Sequence, residues 1–335
     1  MVTPAYAALS TGPTTTQMTG IRPSATRLSF RISDQVTGSV DVGTGNFNVT
    51  VNELSLPGIN GNAVIGASYN SLDASGGAGV TSAMDAKSWS YNLDGAGQLE
   101  QQSSGTLVWV GPDGSTWPFT PSGSAYTSPA GLKAVLAGSS MSGWTLTFLQ
   151  TYTVITFDTN GMPTQVADRN NNVTTISFPY GNLGSVVSTA GPTSARTASF
   201  SYSSLTGTLT VTRANGSSRT VQFTKNSSAQ LVSIQDANSK TTNFTYTSGL
   251  LTKIVNAAGE ETDITYDSSN RATQVDQHNA GTPTSRSTRT TWSPPSRTQR
   301  VAPAAPATPR RAWTWLAFRQ ARPAPLAAPT ATRPR

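Results

Sequence analysis

Apolar and polar residues alternate along short stretches of this chain, and turn-forming residues separate the stretches. In VDVGTGNFNVTVNELSLPG, Phe47, Val49 and Val51 occupy every second position, which is the period of a β-strand with one buried face. Residues 43–46, Gly-Thr-Gly-Asn, lie between 40–42 and that strand and predict a hairpin. Because no amphipathic helical pattern occurs before residue 285, the hydrophobic pattern predicts an all-β, mostly antiparallel protein.

Residues 88–157 continue this pattern with further short apolar stretches. Asp94-Gly95, Asp113-Gly114 and Asn160-Gly161 lie between or just after them, and such dipeptides favour hairpin turns. Four tryptophans fall on alternating strand positions, which predicts that they form the core of this region: Trp89, Trp109, Trp117 and Trp144. The alternative is that this Trp-rich region stacks on cell-surface or cell-wall carbohydrate.

A longer pattern recurs from Gly161 onward. An aliphatic residue returns after 20, 25, 23, 20 and 21 residues, at Val166, Val186, Val211, Ile234, Ile254 and Val275. An aromatic residue follows twelve positions later, or sixteen in the second copy, at Phe178, Tyr202, Phe223, Tyr246 and Tyr266. We interpret these stretches as about six structural repeats, because a hairpin of this size needs neighbours to bury its apolar face.

One repeat shows how the unit folds. Residues 250–254 predict a strand, 256–259 a turn containing Gly259, and 262–266 the returning strand. Asp168, Asp236 and Asn256 stand at the equivalent point of their units, where a short polar side chain bonds nearby backbone N–H groups. We therefore interpret these three residues as turn caps.

Composition excludes several kinds of site. The chain has no cysteine and one histidine, His278, so it cannot build a thiolate metal site or use a cysteine nucleophile. Glu260 and Glu261 would diverge on a strand, and Asp276 shares at best one strand face with His278. We predict no catalytic residue, no cofactor and no metal, and we expect no enzymatic activity.

Charge is divided unevenly along the chain. The net charge is +7, but 286–335 contains ten arginines and no acidic residue, which leaves a net charge of −3 for 1–285. Residues 1–285 therefore lack the excess of basic residues that nucleic-acid binding requires, and we find no membrane-spanning stretch. Two interpretations of the Arg/Pro/Ala-rich tail stay open: a frameshifted end, and a basic disordered arm that binds an anionic polymer.

The pattern divides the chain into four parts. We predict a disordered lead-in (1–37), a β-rich pre-repeat region (38–157), the hairpin repeats (158–285) and a disordered tail (286–335).

The repeats resemble those of the RHS/YD family. GLLTKIVNAAGEETDITYDSSNR and GMPTQVADRNNNVTTISF are similar to the family's repeat, and Tyr266-Asp267 matches its Tyr-Asp pair. The stretch VDVGTGNFNVTVNELSLPGINGNAVIGASYNS resembles the region that precedes the repeats in bacterial RHS proteins. The resemblance covers about residues 38–285, although only one unit has the complete Tyr-Asp pair.

This resemblance implies a fold and a function. The antiparallel hairpins would form part of an RHS/YD-type β-shell, a non-catalytic scaffold that encloses or presents a C-terminal toxin, effector or adhesive domain. The implied location is secreted or at the cell surface, although the N-terminus shows no signal peptide.

Overall fold

The computed structural model describes residues 19–23, 25–58, 61–73, 88–102, 104–177, 185–189, 195–202, 206–212, 218–278 and 288–291. All of them belong to the compact unit Met1–Pro295, and none to the second unit, Ser296–Arg335. Their regular secondary structure consists of β-strands in antiparallel pairs, which confirms the prediction of an all-β, mostly antiparallel protein. Among these residues no helix is long and apolar enough to cross a membrane.

The first sheet contains the first five strands in sequence order. They are β1 (Arg27–Arg31), β2 (Val36–Asp41), β3 (Phe47–Gly58), β4 (Gly61–Asn70) and β5 (Trp89–Leu93). The predicted hairpin joins β2 to β3, and in its turn the Asp41 carboxylate accepts the N–H groups of Gly43 and Thr44 at 2.8 and 3.1 Å. The strands continue on both sides of this turn as the alternating pattern predicts.

The second sheet has four strands in sequence order. They are β6 (Gln98–Gln101), β7 (Leu107–Val110), β8 (Thr116–Ser122) and β9 (Ala125–Thr127). The Asp113-Gly114 turn joins β7 to β8, with Gly114 in the left-handed region at φ 75°. One of its bonds to the rest of the fold comes from the Leu99 N–H, which donates to the Gly161 carbonyl at 2.9 Å.

The third sheet is a meander of fifteen strands that curls into a half-barrel. Its strands are β10 (Ala134–Ser139), β11 (Gly143–Phe148), β12 (Val154–Phe157), β13 (Pro163–Ala167), β14 (Val173–Ser177), β15 (Ser185–Thr189), β16 (Ala195–Tyr202), β17 (Thr206–Thr212), β18 (Ser218–Lys225), β19 (Leu231–Gln235), β20 (Thr241–Thr247), β21 (Leu250–Val255), β22 (Glu261–Tyr266), β23 (Ala272–His278) and β24 (Thr288–Thr291).

Three predicted boundaries differ from the structure. The lead-in is ordered in its last part, because β1 pairs with β2 and Phe30 stacks on Phe47 at 6.2 Å. The boundary at 157/158 falls inside the third sheet, since β12 pairs with β13 across it. The predicted tail begins with β24, which pairs with β23; residues 1–18 and 292–335 lie outside the described residues.

A single hydrophobic core joins the three sheets. It includes Phe47, Tyr69 and Trp89 from the first sheet, Phe119 from the second and Ile254 from the third, all nearly inaccessible to solvent. The half-barrel buries its inner face against the first sheet, so alternate residues along its strands are buried and exposed, as in β14 and β20.

Candidate functional site

The repeat units share one turn. In each of six hairpins an Asp or Asn accepts, on its side-chain oxygen, the N–H groups of the residues two and four positions later, and its carbonyl accepts the N–H three positions later. These residues are Asp158, Asp168, Asn226, Asp236, Asn256 and Asp267. The predicted capping role of Asp168, Asp236 and Asn256 is therefore confirmed.

The fourth residue of each turn has a positive φ, between 60° and 80°. This backbone is a type I turn followed by a left-handed residue, a common three-residue hairpin connection. The left-handed residues are Gly161, Asn171, Ala229, Ser239, Gly259 and Asn270. Two of the six, Ala229 and Ser239, are neither Gly nor Asn, the residues that best suit this conformation, so the capping side chain also holds the turn.

Two capping carboxylates are stabilised in their charged form. A hydrogen bond from the Asn172 side chain, at 2.8 Å, lowers the pKa of Asp168. Burial opposes ionisation of Asp267, but hydrogen bonds from Arg271 outweigh it and lower the pKa of Asp267. In both turns the first and fifth side chains interact with each other, which closes the hairpin end.

A β-bulge recurs at the same point of four units. The register shifts just before Phe157, Lys225, Tyr246 and Tyr266. The extra residue opposite is Thr164, Val232, Thr252 or Thr273, and the three threonine hydroxyls donate to carbonyls of the facing strand at 3.1 to 3.3 Å. Since bulges bend and twist a strand, their repetition favours the curl of the sheet.

The predicted aliphatic positions are equivalent in five of the six units. Each pairs with an apolar residue of the preceding strand, in the pairs Ile155–Val166, Ile176–Val186, Phe223–Ile234, Phe244–Ile254 and Ile264–Val275. Val211 is the exception and pairs with Ala198, whereas Leu209 pairs with Phe200 and takes the equivalent place. The prediction was wrong there because the β15–β16 and β17–β18 hairpins are longer than the others.

The aromatic positions follow the same register. Phe223 pairs with Ile234 and is equivalent to Phe244, not to Tyr246, so its predicted alignment was wrong by two residues. Tyr202 ends β16 opposite Gly207. Phe178 lies outside the described residues.

Tyr246 and Tyr266 join the two strands of their own hairpins. The Tyr246 hydroxyl donates to the Leu231 carbonyl at 2.8 Å, and the Tyr266 hydroxyl donates to the Leu251 carbonyl at 2.7 Å. Each bond spans fifteen residues, back to the first or second residue of the strand that begins the same hairpin. In the Tyr266-Asp267 pair the tyrosine therefore closes its own hairpin, and the aspartate builds the turn into the next unit.

The first sheet occupies the inner face of the half-barrel through a row of aromatic residues. Phe47 contacts Tyr266, Tyr69 contacts Tyr246 and Trp89 contacts Phe244, with ring centroids 6.4, 6.5 and 5.2 Å apart and edge-to-face geometry. We call these six residues the aromatic seam.

Hydrogen bonds accompany the aromatic seam. The Trp89 indole N–H donates to the Tyr246 hydroxyl at 2.9 Å, and the Leu251 N–H donates to the Tyr69 hydroxyl at 3.0 Å. Burial raises the pKa of Tyr69 to about 12, so this hydroxyl stays protonated at neutral pH. The Ala272 N–H donates to the Gly45 carbonyl at 2.8 Å, which adds a backbone contact. The two regions are therefore joined by directional bonds as well as by apolar packing.

The four tryptophans of the pre-repeat region are buried. Trp89, Trp109, Trp117 and Trp144 are at most 6% exposed. The Trp109 indole N–H donates to the Ala96 carbonyl at 2.9 Å, which fixes its ring inside the fold. These side chains are core residues and do not provide an exposed platform for stacking on a sugar.

Of the acidic residues considered above, Glu261 belongs to an ion-pair network that also contains Asp263, Lys253 and His278. Lys253 Nζ lies 2.7 Å from Glu261 Oε2 and 3.6 Å from Asp263 Oδ1, and His278 Nε2 lies 3.3 Å from Asp263 Oδ2. The hydrogen bond with Glu261 raises the pKa of Lys253, and the same bond lowers the pKa of Glu261. A lowered carboxyl pKa is the opposite of what a general acid requires.

Glu260 has a separate role. Its carboxylate accepts the Asn256 side-chain N–H at 2.7 Å, and the same amide donates to the Ile32 carbonyl of the first sheet at 2.7 Å. Among the described residues no group of three or more His, Cys, Asp or Glu is placed to hold a metal ion.

A cleft of about 670 Å³ lies beside this turn, between the β1–β2 turn and two repeat turns. Its lining includes apolar Val36, Val51 and Ile234 and charged Lys240 and Glu260, but no aromatic residue. The cleft shows where the first sheet and the repeat turns separate at one edge of the half-barrel.

No protein-family model matches this chain, and no curated protein sequence is similar to it.

Proposed function

We propose that the chain is a non-catalytic structural scaffold, the opening part of an RHS/YD-type shell. In a longer protein this shell would enclose or present a C-terminal toxin, effector or adhesive domain, secreted or at the cell surface. The observation that supports the proposal is the Tyr266-Asp267 pair, in which Tyr266 closes its own hairpin by its bond to Leu251, while Asp267 turns the chain into the next unit. A hairpin unit of this kind is expected in an array, because it needs neighbouring units to bury its apolar face.

The sheet topology fits an array that extends. The fifteen strands follow one another in sequence order from β10 to β24, so each hairpin adds to the end of the sheet. Each unit contacts chiefly its neighbours, as in other repeat proteins. The first sheet fills the inner face at the start of the array, and further units would curl beyond it.

The nucleotide sequence downstream tests this proposal. We expect one of its three reading frames to continue hairpin units of about twenty residues with Tyr-Asp pairs, followed by an unrelated domain. Expression of that domain alone should then arrest growth if it is a toxin, or bind cells if it is adhesive. Three frames without any such unit would contradict the scaffold proposal.

A further inference from the structure

Residues 19–22, Thr-Gly-Ile-Arg, lie in a groove between the first and second sheets. The Gly20 N–H donates to Asn70 Oδ1 at 2.8 Å, and the Ile21 N–H donates to Asp113 Oδ2 at 2.6 Å. The Thr19 hydroxyl donates to the Gly114 carbonyl at 2.7 Å. We call residues 19–22 the strap; three of its residues bind Asn70 and the Asp113-Gly114 turn, which lie 50 to 95 positions away in sequence.

The arginine of the strap binds the same groove by its side chain. Arg22 Nη2 donates to the Thr116 carbonyl at 2.9 Å, and its guanidinium lies 4.5 Å from the ring centroid of Trp117. Arg22 Nε is buried without a hydrogen-bond partner, so the ring face is its main contact. Stacking of a guanidinium on an aromatic face is selective for arginine over lysine.

The groove requires glycine at the second strap position. Gly20 has φ +75°, and a Cβ placed there would lie 2.3 Å from the Ser115 backbone nitrogen. Both the left-handed backbone and the lack of space exclude a larger residue. Ile21 contributes its backbone N–H and is only half-buried. The groove is therefore selective for Thr, Gly and Arg at the first, second and fourth strap positions, but not for the side chain of Ile21 at the third.

The groove is built independently of the strap. Asn70 is 1% exposed, and its Nδ2 donates to the Asp113 carbonyl at 2.8 Å, which connects the two sheets directly. Asp113 Oδ1 accepts the Ser115 N–H at 3.0 Å, and this leaves Oδ2 directed at the strap. The binding groups are therefore positioned by bonds within the fold.

We propose that the groove formed by Asn70, Asp113, Gly114, Thr116 and Trp117 is a peptide-binding site for a Thr-Gly-X-Arg segment. The chain fills the site with its own strap, and the strap can leave and be replaced by the same sequence from another polypeptide. The strap is followed by exposed Pro23 and is held in the groove by four hydrogen bonds and one stacking contact, and a short segment held by few contacts can open without unfolding of the whole chain. This proposal does not depend on the scaffold function.

Peptide binding to the whole chain tests it. In a Gly20→Val variant the chain's own strap no longer fits, so a fluorescent, N-acetylated QMTGIRPS peptide should bind with a dissociation constant in the millimolar range or tighter, because a tethered segment has an effective concentration of about that size. The parent chain should bind at least tenfold more weakly, because its groove is filled. The same peptide with valine in place of glycine is the matched control and should not bind.

Two binding results would overturn the proposal. One is the absence of saturable binding to the Gly20→Val variant at peptide concentrations of about 5 mM, several times the expected constant. The other is equal binding to the parent. If Gly20→Val does not fold, Arg22→Ala is measured in the same way; failure of that milder variant to fold would make the strap an integral part of the core and would equally overturn it.

Discussion

The first sheet and the repeats bury similar apolar side chains but are specified differently. In the first sheet, β3 and β4 have twelve and ten residues, and the buried amides of Asn46, Asn48 and Asn70 bond one another across strands. In the repeats the strands β19 to β23 have five to seven residues, and each turn is fixed by bonds within five positions. The structure of the first sheet therefore depends on contacts between residues distant in sequence, whereas the structure of a repeat is determined largely by its own local sequence.

The largest expected effect tests whether these two regions fold as one. Phe47 and Ile254 are both fully buried, in the first sheet and in the repeats respectively. We expect Phe47→Ala to lower the free energy of unfolding by about 3–5 kcal/mol and Ile254→Ala by about 2–5 kcal/mol, through lost contacts and the cavity left behind.

Because the aromatic seam joins the regions, both variants should shift the same single transition in chemical denaturation. Tyrosine and tryptophan fluorescence and far-UV circular dichroism would follow the two regions together. Two separate transitions, with each variant affecting only one, would show that the regions unfold independently and that the seam does not couple them.

A second comparison uses one amide from each region. Asn70 Oδ1 accepts N–H groups from Gly20 and Asn46, and its Nδ2 donates to Asp113, so Asn70→Ala leaves several buried groups unpaired. We expect a loss of about 2–4 kcal/mol, since each unsatisfied buried group costs about 1–3 kcal/mol. Asn226→Ala removes a turn cap at an exposed end and should cost about 1 kcal/mol.

Thermal unfolding of the two variants measures this difference. Asn70→Asp, which keeps the acceptor and removes the donor, separates the two halves of the amide's role. Equal destabilisation by Asn70→Ala and Asn226→Ala would mean that the long-range amide network adds nothing beyond a local turn.

The difference between local and long-range contacts also determines which parts of the structure could be predicted from the sequence alone. The turn at 256–260 could be predicted, because Asn256 and Gly259 have local preferences that determine it. The strap could not, because Thr-Gly-Ile-Arg shows no periodicity and its partners lie up to 95 residues away. Val211 was misaligned because its hairpin is longer than the others by whole residue pairs. Such a hairpin keeps the alternation of apolar and polar residues, so the sequence pattern does not reveal that the pairing register has changed.

Substitutions of the left-handed turn residues should change the free energy of unfolding in either direction. Ser239 and Gly259 occupy the same place in successive turns, with φ 61° and 80°. Ser239→Gly should stabilise the chain and Gly259→Ser should destabilise it, each by about 1 kcal/mol, because a side chain is disfavoured in this conformation. Denaturation midpoints of both variants check the pair; two changes of the same sign would mean that these turns are not equivalent.

The smallest effect concerns the titration of a turn cap. Asp267 pairs with Arg271, Oδ2 to Nη2 at 2.6 Å, and its pKa lies below the usual value near 3.8. An acid with a lowered folded pKa stabilises the protein above its unfolded pKa, and this stabilisation disappears as the pH falls through the folded value. The turns built on Asn226 and Asn256 show that an amide can make the same backbone bonds without a charge.

Asp267→Asn should therefore keep the turn and lose only the charged contribution. At pH 7 we expect the variant to be less stable than the parent by about 0.2–1 kcal/mol, the usual range for a partly exposed ion pair. As the pH falls through the folded pKa of Asp267, which lies below 3.8, the difference should shrink towards zero, because the parent carboxylate becomes protonated. Glu260→Gln, an exposed acid for comparison, should stay within about 0.5 kcal/mol of the parent at both pH values. A difference between Asp267→Asn and the parent that is independent of pH would locate the effect in the turn geometry and not in the charge.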